Sequence, residues 1–113
     1  MKGTYLGEFE ELVLLTIAAL FDEAYGLAIK NELSAETKRS VSIGAVHAAC
    51  NRLQDKGYLE ARFGEATAKR GGKRKKLYTV TVQGQAALAE AKAMRERLWN
   101  KIPHTAFQPK FLT

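Results

Sequence analysis

The 113-residue chain has one cysteine and two prolines, and both prolines, Pro103 and Pro109, stand near its C-terminus. A lone thiol cannot close an internal disulfide or build a multi-thiolate metal cluster, which excludes a cross-linked secreted scaffold and points to a reducing compartment. Long apolar runs are missing as well. The longest, Leu12 to Phe21, counts ten residues including Thr16, well short of the ~20 that a membrane-crossing helix needs. Acids (Glu8, Glu10, Glu11, Asp22 and Glu23) flank it where a secretory signal would carry cations. These absences predict a cytoplasmic protein with no membrane partner. Internal repeats and low-complexity tracts are also lacking. Carboxylates are scattered without a paired constellation or an evident nucleophile and base, so neither an enzyme nor a bound cofactor is expected.

Acidic charge is missing from one segment in particular. Lys69, Arg70, Lys73, Arg74, Lys75 and Lys76 crowd eight positions without an intervening acid, and they account for the whole formal net charge of +6. A local cationic feature on a neutral body suits docking to a polyanion, although a solvated loop that only aids solubility would look the same. The rest of the composition is ordinary. Hydrophobic residues make up 46% and charged residues 27%, enough apolar material for one domain with its own core.

Periodicity organises that material. Phe9, Leu12, Val13, Ile17, Leu20 and Phe21, with Thr16 filling the remaining slot, recur at helical spacing and predict a first helix over 8–21. Tyr25-Gly26 breaks the pattern, and Leu27, Ile29 and Leu33 give a second, shorter helix ending near 35–37. Ser42 is suited to cap a third helix over about 43–56, and Gly57 supplies the left-handed residue that stops it. Val46, Ala49, Cys50 and Leu53 share its inner face, which turns Gly44, Ala48, Asn51 and Asp55 outward and leaves His47 and Arg52 on the flanks. The period then changes to two. Leu59, Ala61 and Phe63, and later Tyr78, Val80 and Val82, alternate with their neighbours as paired strands do. The stretch 64–75 between them reads as a long basic hairpin loop. Thr81 caps a final helix expected to reach Ile102 and stop before Pro103.

Three helices followed by a hairpin make a mainly α fold with a small β-hairpin, a winged helix-turn-helix with a long C-terminal helix. Its third helix, with small Gly44, Ala45 and Ala48 on the leading turns, is suited to approach base edges in a major groove. Ser42, His47, Asn51 and Arg52 carry donors for phosphates or bases. Lys69, Arg70, Lys73, Arg74, Lys75 and Lys76 are placed to follow the neighbouring backbone and minor groove. The expected division is a DNA-binding unit over 1–82, a dimerisation helix over 83–103 and a tail over 104–113.

In this order, Glu8 to Leu20, Tyr25-Gly26 with Ile29, Val41 to Leu53, Asp55 to Leu59, and Gly71 to Tyr78 through Thr81 and Gly84 resemble the PadR family of transcriptional regulators. The resemblance implies a homodimeric winged-helix repressor whose terminal helix forms the dimer interface and which a small molecule or stress signal releases from double-stranded DNA. The short C-terminal region is similar to the compact branch of the family, with a single terminal helix. The third helix departs from the pattern. His47 and Cys50 stand where a tyrosine and, three residues on, a leucine are usual, which puts any contact of that tyrosine in doubt.

Other readings weigh less. His47 and Cys50 have only the distant His104 to join them as a metal ligand, too few for a site, so no metal is expected. Gly71-Gly72-Lys73 lacks the upstream glycine and the Ser or Thr of a phosphate loop. The terminal helix, about 21 residues and ~31 Å long, outreaches a domain of this size and calls for a partner. Leu88, Ala91, Met94, Leu98 and Ile102 form its apolar stripe, and a second copy of the chain is the economical match. Trp99 beside that stripe suits a dimer-core anchor or the wall of a cavity for a small aromatic effector, with Arg95 and Arg97 near enough to orient an anion. The function expected is a ligand- or stress-responsive repressor bound as a homodimer to a pseudo-palindromic operator. The alternative is a winged-helix module that contacts protein or RNA.

Overall fold

In the computed structural model, which describes residues 5–66 and 74–107, the chain runs α1 (Glu8–Ala19), α2 (Gly26–Thr37), α3 (Ile43–Asp55), β1 (Leu59–Ala66), β2 (Arg74–Val80) and α4 (Val82–Asn100), closing on a 3-10 turn (His104–Phe107). The mainly helical fold with one antiparallel hairpin is the one expected. Glu8, Glu10 and Glu11 occupy the first turn of α1, where carboxylates favour the unpaired amides of a helix start. Its fully buried stripe is Val13, Leu14 and Ile17, while Phe9, Leu12 and Leu20 pack at the margin. The sequence reading carries α1 to Phe21, but the helix ends two residues sooner. Asp22 takes a left-handed φ of 71°, and Phe21 is left 78% exposed.

Ile29 and Leu33 of α2 meet Val46, Ala49, Cys50 and Leu53 of α3 across the same core. The Ser42 hydroxyl accepts the Ala45 amide at 3.0 Å, giving α3 its cap. Gly57 turns the chain out of α3 at φ +81°, a conformation that would strain a side-chain-bearing residue. The hairpin pairs Leu59 with Val80, Ala61 with Tyr78 and Phe63 with Lys76. Both strands extend into the stretch expected to be loop, with an irregular register between Phe63 and Ala66. Val82 leaves the strand pattern to begin α4. The hairpin is fastened to the α1–α2 connection by a bridge between Tyr25 and Leu77 and by the Tyr78 amide donating to the Ala24 carbonyl at 2.9 Å.

The root of α4 is clamped onto the turn after α3. Thr81 donates its amide to the Tyr58 carbonyl (3.0 Å) and its hydroxyl to the Gly57 carbonyl (2.7 Å). Its hydroxyl oxygen also accepts the Gly84 amide at 3.0 Å. A Cβ on Gly84 would lie 2.4 Å from the Tyr58 carbonyl oxygen and 2.9 Å from Val80 Cγ1. Backbone cannot yield there as a side chain would, so Gly84→Ala is expected to cost about 1–3 kcal/mol of folding free energy. Urea unfolding would show this as a lower midpoint at unchanged slope.

Candidate nucleic-acid interface

The outward ridge of α3 consists of Gly44, Ala48 and Asn51, all exposed. Among the described residues nothing lies within 4 Å of where a Cβ on Gly44 would be, which leaves the backbone of the first turn open to close approach. The Ser42 oxygen caps the helix, and a hydroxyl in that role can still donate its own proton. On one flank His47 lies against the start of α2, and its Nε2 would stand 2.9 Å from a Cβ on Gly26. Any side chain larger than hydrogen at position 26 would therefore displace the imidazole.

His47 also lines a groove of about 320 Å³ between α3 and β2, together with Tyr25, Lys75 and Lys76. Lys75 Nζ is held 4.0 Å from the centroid of the Tyr25 ring, and Lys76 Nζ lies 5.7 Å from that of Tyr78. Such cation–ring contacts are worth about 0.5–1 kcal/mol at exposed sites, enough to orient the ammonium groups without burying them. The structure thus brings the first half of β2 beside α3. Lys69, Arg70 and Lys73 lie outside the described residues, and Arg74 is described as the first residue of β2.

On the opposite flank, Arg52 is engaged within the protein. Its Nε donates to Glu10 Oε2 at 2.7 Å, and Lys56 Nζ reaches Glu10 Oε1 at 2.6 Å. Burial alone would raise the Glu10 pKa. Hydrogen bonds from Lys56, Arg52 and the Gly7 amide, with the charge of Lys56, reverse that and hold it below the usual carboxylate value. The neighbouring Glu11, also buried, accepts from Arg95 Nη1 of α4 at 2.6 Å. In the sequence both acids stand out only as flanks of an apolar run, because partners 42 and 84 positions away leave no local signal. Cys50 is fully buried beneath α3. Burial pushes its thiol up to about 11 and the neighbouring Tyr78 phenol up to about 12, so both stay protonated at neutral pH. Among the described residues no group of three or more His, Cys, Asp or Glu side chains is placed to hold a metal ion.

Away from α3, only the root of α4 reaches the core, through Gly84, Ala87 and Leu88. Beyond it Met94, Leu98, Trp99 and Ile102 are exposed, Leu98 at 62% and Trp99 at 69%. A cavity of about 610 Å³ opens between α1 and α4, walled by Leu15, Leu88 and Trp99 with Glu11, Lys92 and Arg95 at its polar edge. The expected tail begins with the 3-10 turn, and Phe107 returns to within 6.4 Å of the Trp99 ring at 40°.

A capped helix with a bare outer ridge, set beside a lysine-bearing hairpin on a three-helix core, defines a winged helix-turn-helix protein. The family model described as "Transcriptional regulator PadR-like family" matches residues 14–90, and the chain belongs to that family. The family and the fold are those of transcriptional regulators, not enzymes. No curated protein matches the chain in sequence. Among solved structures, a PadR-like transcription factor from Bacteroides fragilis shares the fold at 24% identity and a TM-score of 0.70, over 86% of this chain and 88% of that one. A PadR-like transcriptional regulator from Bacillus cereus does so at 21% identity and a TM-score of 0.71, over 89% and 93%. The complex structure of hsRosR-S1 is similar at 26% identity and a TM-score of 0.66, over 86% and 79%. No described helix is long and apolar enough to cross a membrane.

Proposed function

We propose that the chain is a cytoplasmic repressor that binds a pseudo-palindromic operator as a homodimer and is released by a small aromatic ligand. The observation that carries the DNA reading is the juxtaposition of the Gly44–Ala48–Asn51 ridge with Lys75 and Lys76 in the first half of β2. Bare backbone and short side chains suit a major groove, while ammonium groups one element away suit the flanking phosphates. Residues 1–82 serve as the DNA-binding unit in this reading. Ser42, His47 and Asn51 supply polar contacts, and Lys69, Arg70, Lys73 and Arg74 extend the phosphate contacts of the wing. The test is an electrophoretic shift on the duplex upstream of the chain's own gene, against unrelated duplex and RNA of equal length. Preferential retardation of the upstream duplex supports the reading, and equal or stronger binding of RNA replaces it with the interaction-module alternative.

Residues 83–103 form the dimer in the same reading. The exposed Met94, Leu98 and Ile102 continue the side of α4 that starts at Leu88 and Ala91, and a two-fold axis there would present two α3 ridges to two half-sites. Burying such side chains is worth about 1.5–3 kcal/mol each. Leu98→Asp is therefore expected to convert the dimer to monomer by sedimentation, with the α-helical spectrum retained.

The α1–α4 cavity is the proposed effector site, its volume within the range of small-molecule pockets. Trp99 offers a stacking face, and Arg95, whose guanidinium already pairs with Glu11, offers a charge. Saturable quenching of Trp99 fluorescence by flat aromatic compounds is the expected signature, with ligand binding, followed by calorimetry, lost in Trp99→Ala while DNA binding persists. Loss of the dimer in Trp99→Ala, with no compound quenching the parent, would make Trp99 a packing anchor instead.

A further inference from the structure

Two cations, Arg52 of α3 and Lys56 at its C-cap, are tied back to α1. Arg52 follows Asn51 directly in sequence and its side chain is 51% exposed, yet its Nε is tied to Glu10, whose own side chain is only 8% exposed. Lys56, one turn further on, is drawn inward to the other oxygen of the same carboxylate and to the Tyr5 carbonyl. The Gly7 amide donates to that oxygen at 3.3 Å, so one buried side chain gathers donors from the chain before α1 and from the last turn of α3. The next residue, Glu11, binds Arg95 of α4. Adjacent carboxylates on α1 thus fix the tilt of α3 on one side and the line of α4 on the other.

We propose that Glu10 is a specificity-determining positioning residue, one that holds Arg52 and Lys56 off the duplex and sets the angle at which the α3 ridge meets the groove. The proposal rests on the DNA-binding reading above. Cations beside a recognition ridge add affinity for any phosphate backbone and none for a sequence. Withdrawing two of them lowers binding to random duplex and leaves base contacts to decide. With Glu11 beside it tied to Arg95, Glu10 keeps α3 in register with α4, and so fixes the spacing between the two ridges of a dimer.

The experiment compares full-length parent, Glu10→Gln and Arg52→Gln on the upstream duplex and on a random duplex of equal length, by fluorescence anisotropy over a salt series. A neutral amide cannot hold both cations. Glu10→Gln is expected to bind random duplex more tightly, with a salt slope steeper by about 0.9 for each cation freed, and to lose tenfold or more of the parent's preference for the upstream duplex. Arg52→Gln is expected to keep the parent's slope, because that guanidinium does not meet phosphate. A folded Glu10→Gln that weakens on both duplexes alike, at an unchanged slope, overturns the proposal. An Arg52→Gln slope shallower by about 0.9 also overturns it, and decides the matter if Glu10→Gln does not fold. A parent that fails to distinguish the two duplexes defeats the DNA-binding reading itself, an outcome read before either variant is considered.

Discussion

Ala48→Glu is expected to reduce operator affinity by about 100-fold or more while leaving the fold unchanged. Ala48 is exposed at the centre of the α3 ridge, one turn from Gly44 and next to Asn51 on the same face. A carboxylate there would displace the base-edge contacts of its neighbours, each good contact being worth about 1–3 kcal/mol of discrimination, and would stand close to the phosphates of both strands. Stability has little reason to change. Glutamate is a good helix former, and exposed substitutions away from caps and packing usually shift folding by less than ~0.5 kcal/mol. Anisotropy titration beside a thermal melt separates the two quantities. Retained operator affinity in a folded variant would mean that this face does not enter a groove.

Replacing Lys73, Arg74, Lys75 and Lys76 together with alanine is expected to produce the other large effect, of a different kind. If each contacts a phosphate, the slope of log affinity against log salt falls by about 0.9 per residue. Taking affinities as equal near 1 M salt, that is roughly eightfold per contact at 0.1 M, and on the order of 10³-fold for the four. Upstream and random duplex should lose alike, because backbone contacts carry no sequence information. An unchanged slope would make the basic run a solvated loop. Lys75 and Lys76 also hold ring contacts with Tyr25 and Tyr78, so the variant should be checked for a small loss of stability as well.

The first expectation rests on a helix whose ends were legible in the sequence for local reasons. A serine before a small-residue helix, a glycine after it and a threonine three residues before Gly84 each act through bonds within a few positions. Ser42, Gly57 and Thr81 accordingly sit where that chemistry puts them. Strand alternation located the hairpin but not its length. Gly64 and Lys75 read as loop residues, yet β1 runs on past Gly64 and β2 takes in Lys75.

Interactions between distant residues were not legible. Leu14 shows why. It falls off the stripe drawn through Phe9, Leu12 and Ile17, but it is fully buried because α1 is covered by α2, α3 and β2 from several sides. Glu10 and Glu11 look like mere flanks of an apolar run, and only the packed chain shows that they hold α3 and α4. Arg52 illustrates the same limit from the other partner: its flank position predicts an available donor, and its tertiary neighbour decides where that donor goes. α4 was expected to reach Ile102 but ends at Asn100, and the Pro103 that follows says nothing of the chain's return to Trp99 through the turn at His104–Phe107.

If a dimer sets two α3 ridges into successive major grooves, selection from a random-sequence duplex pool will enrich a two-fold symmetric motif. Its half-sites should lie one helical turn apart, about 10 base pairs centre to centre, with hydroxyl-radical protection of both. Recovery of the input pool without a motif, or of an unpaired half-site bound by a monomer, would contradict that arrangement.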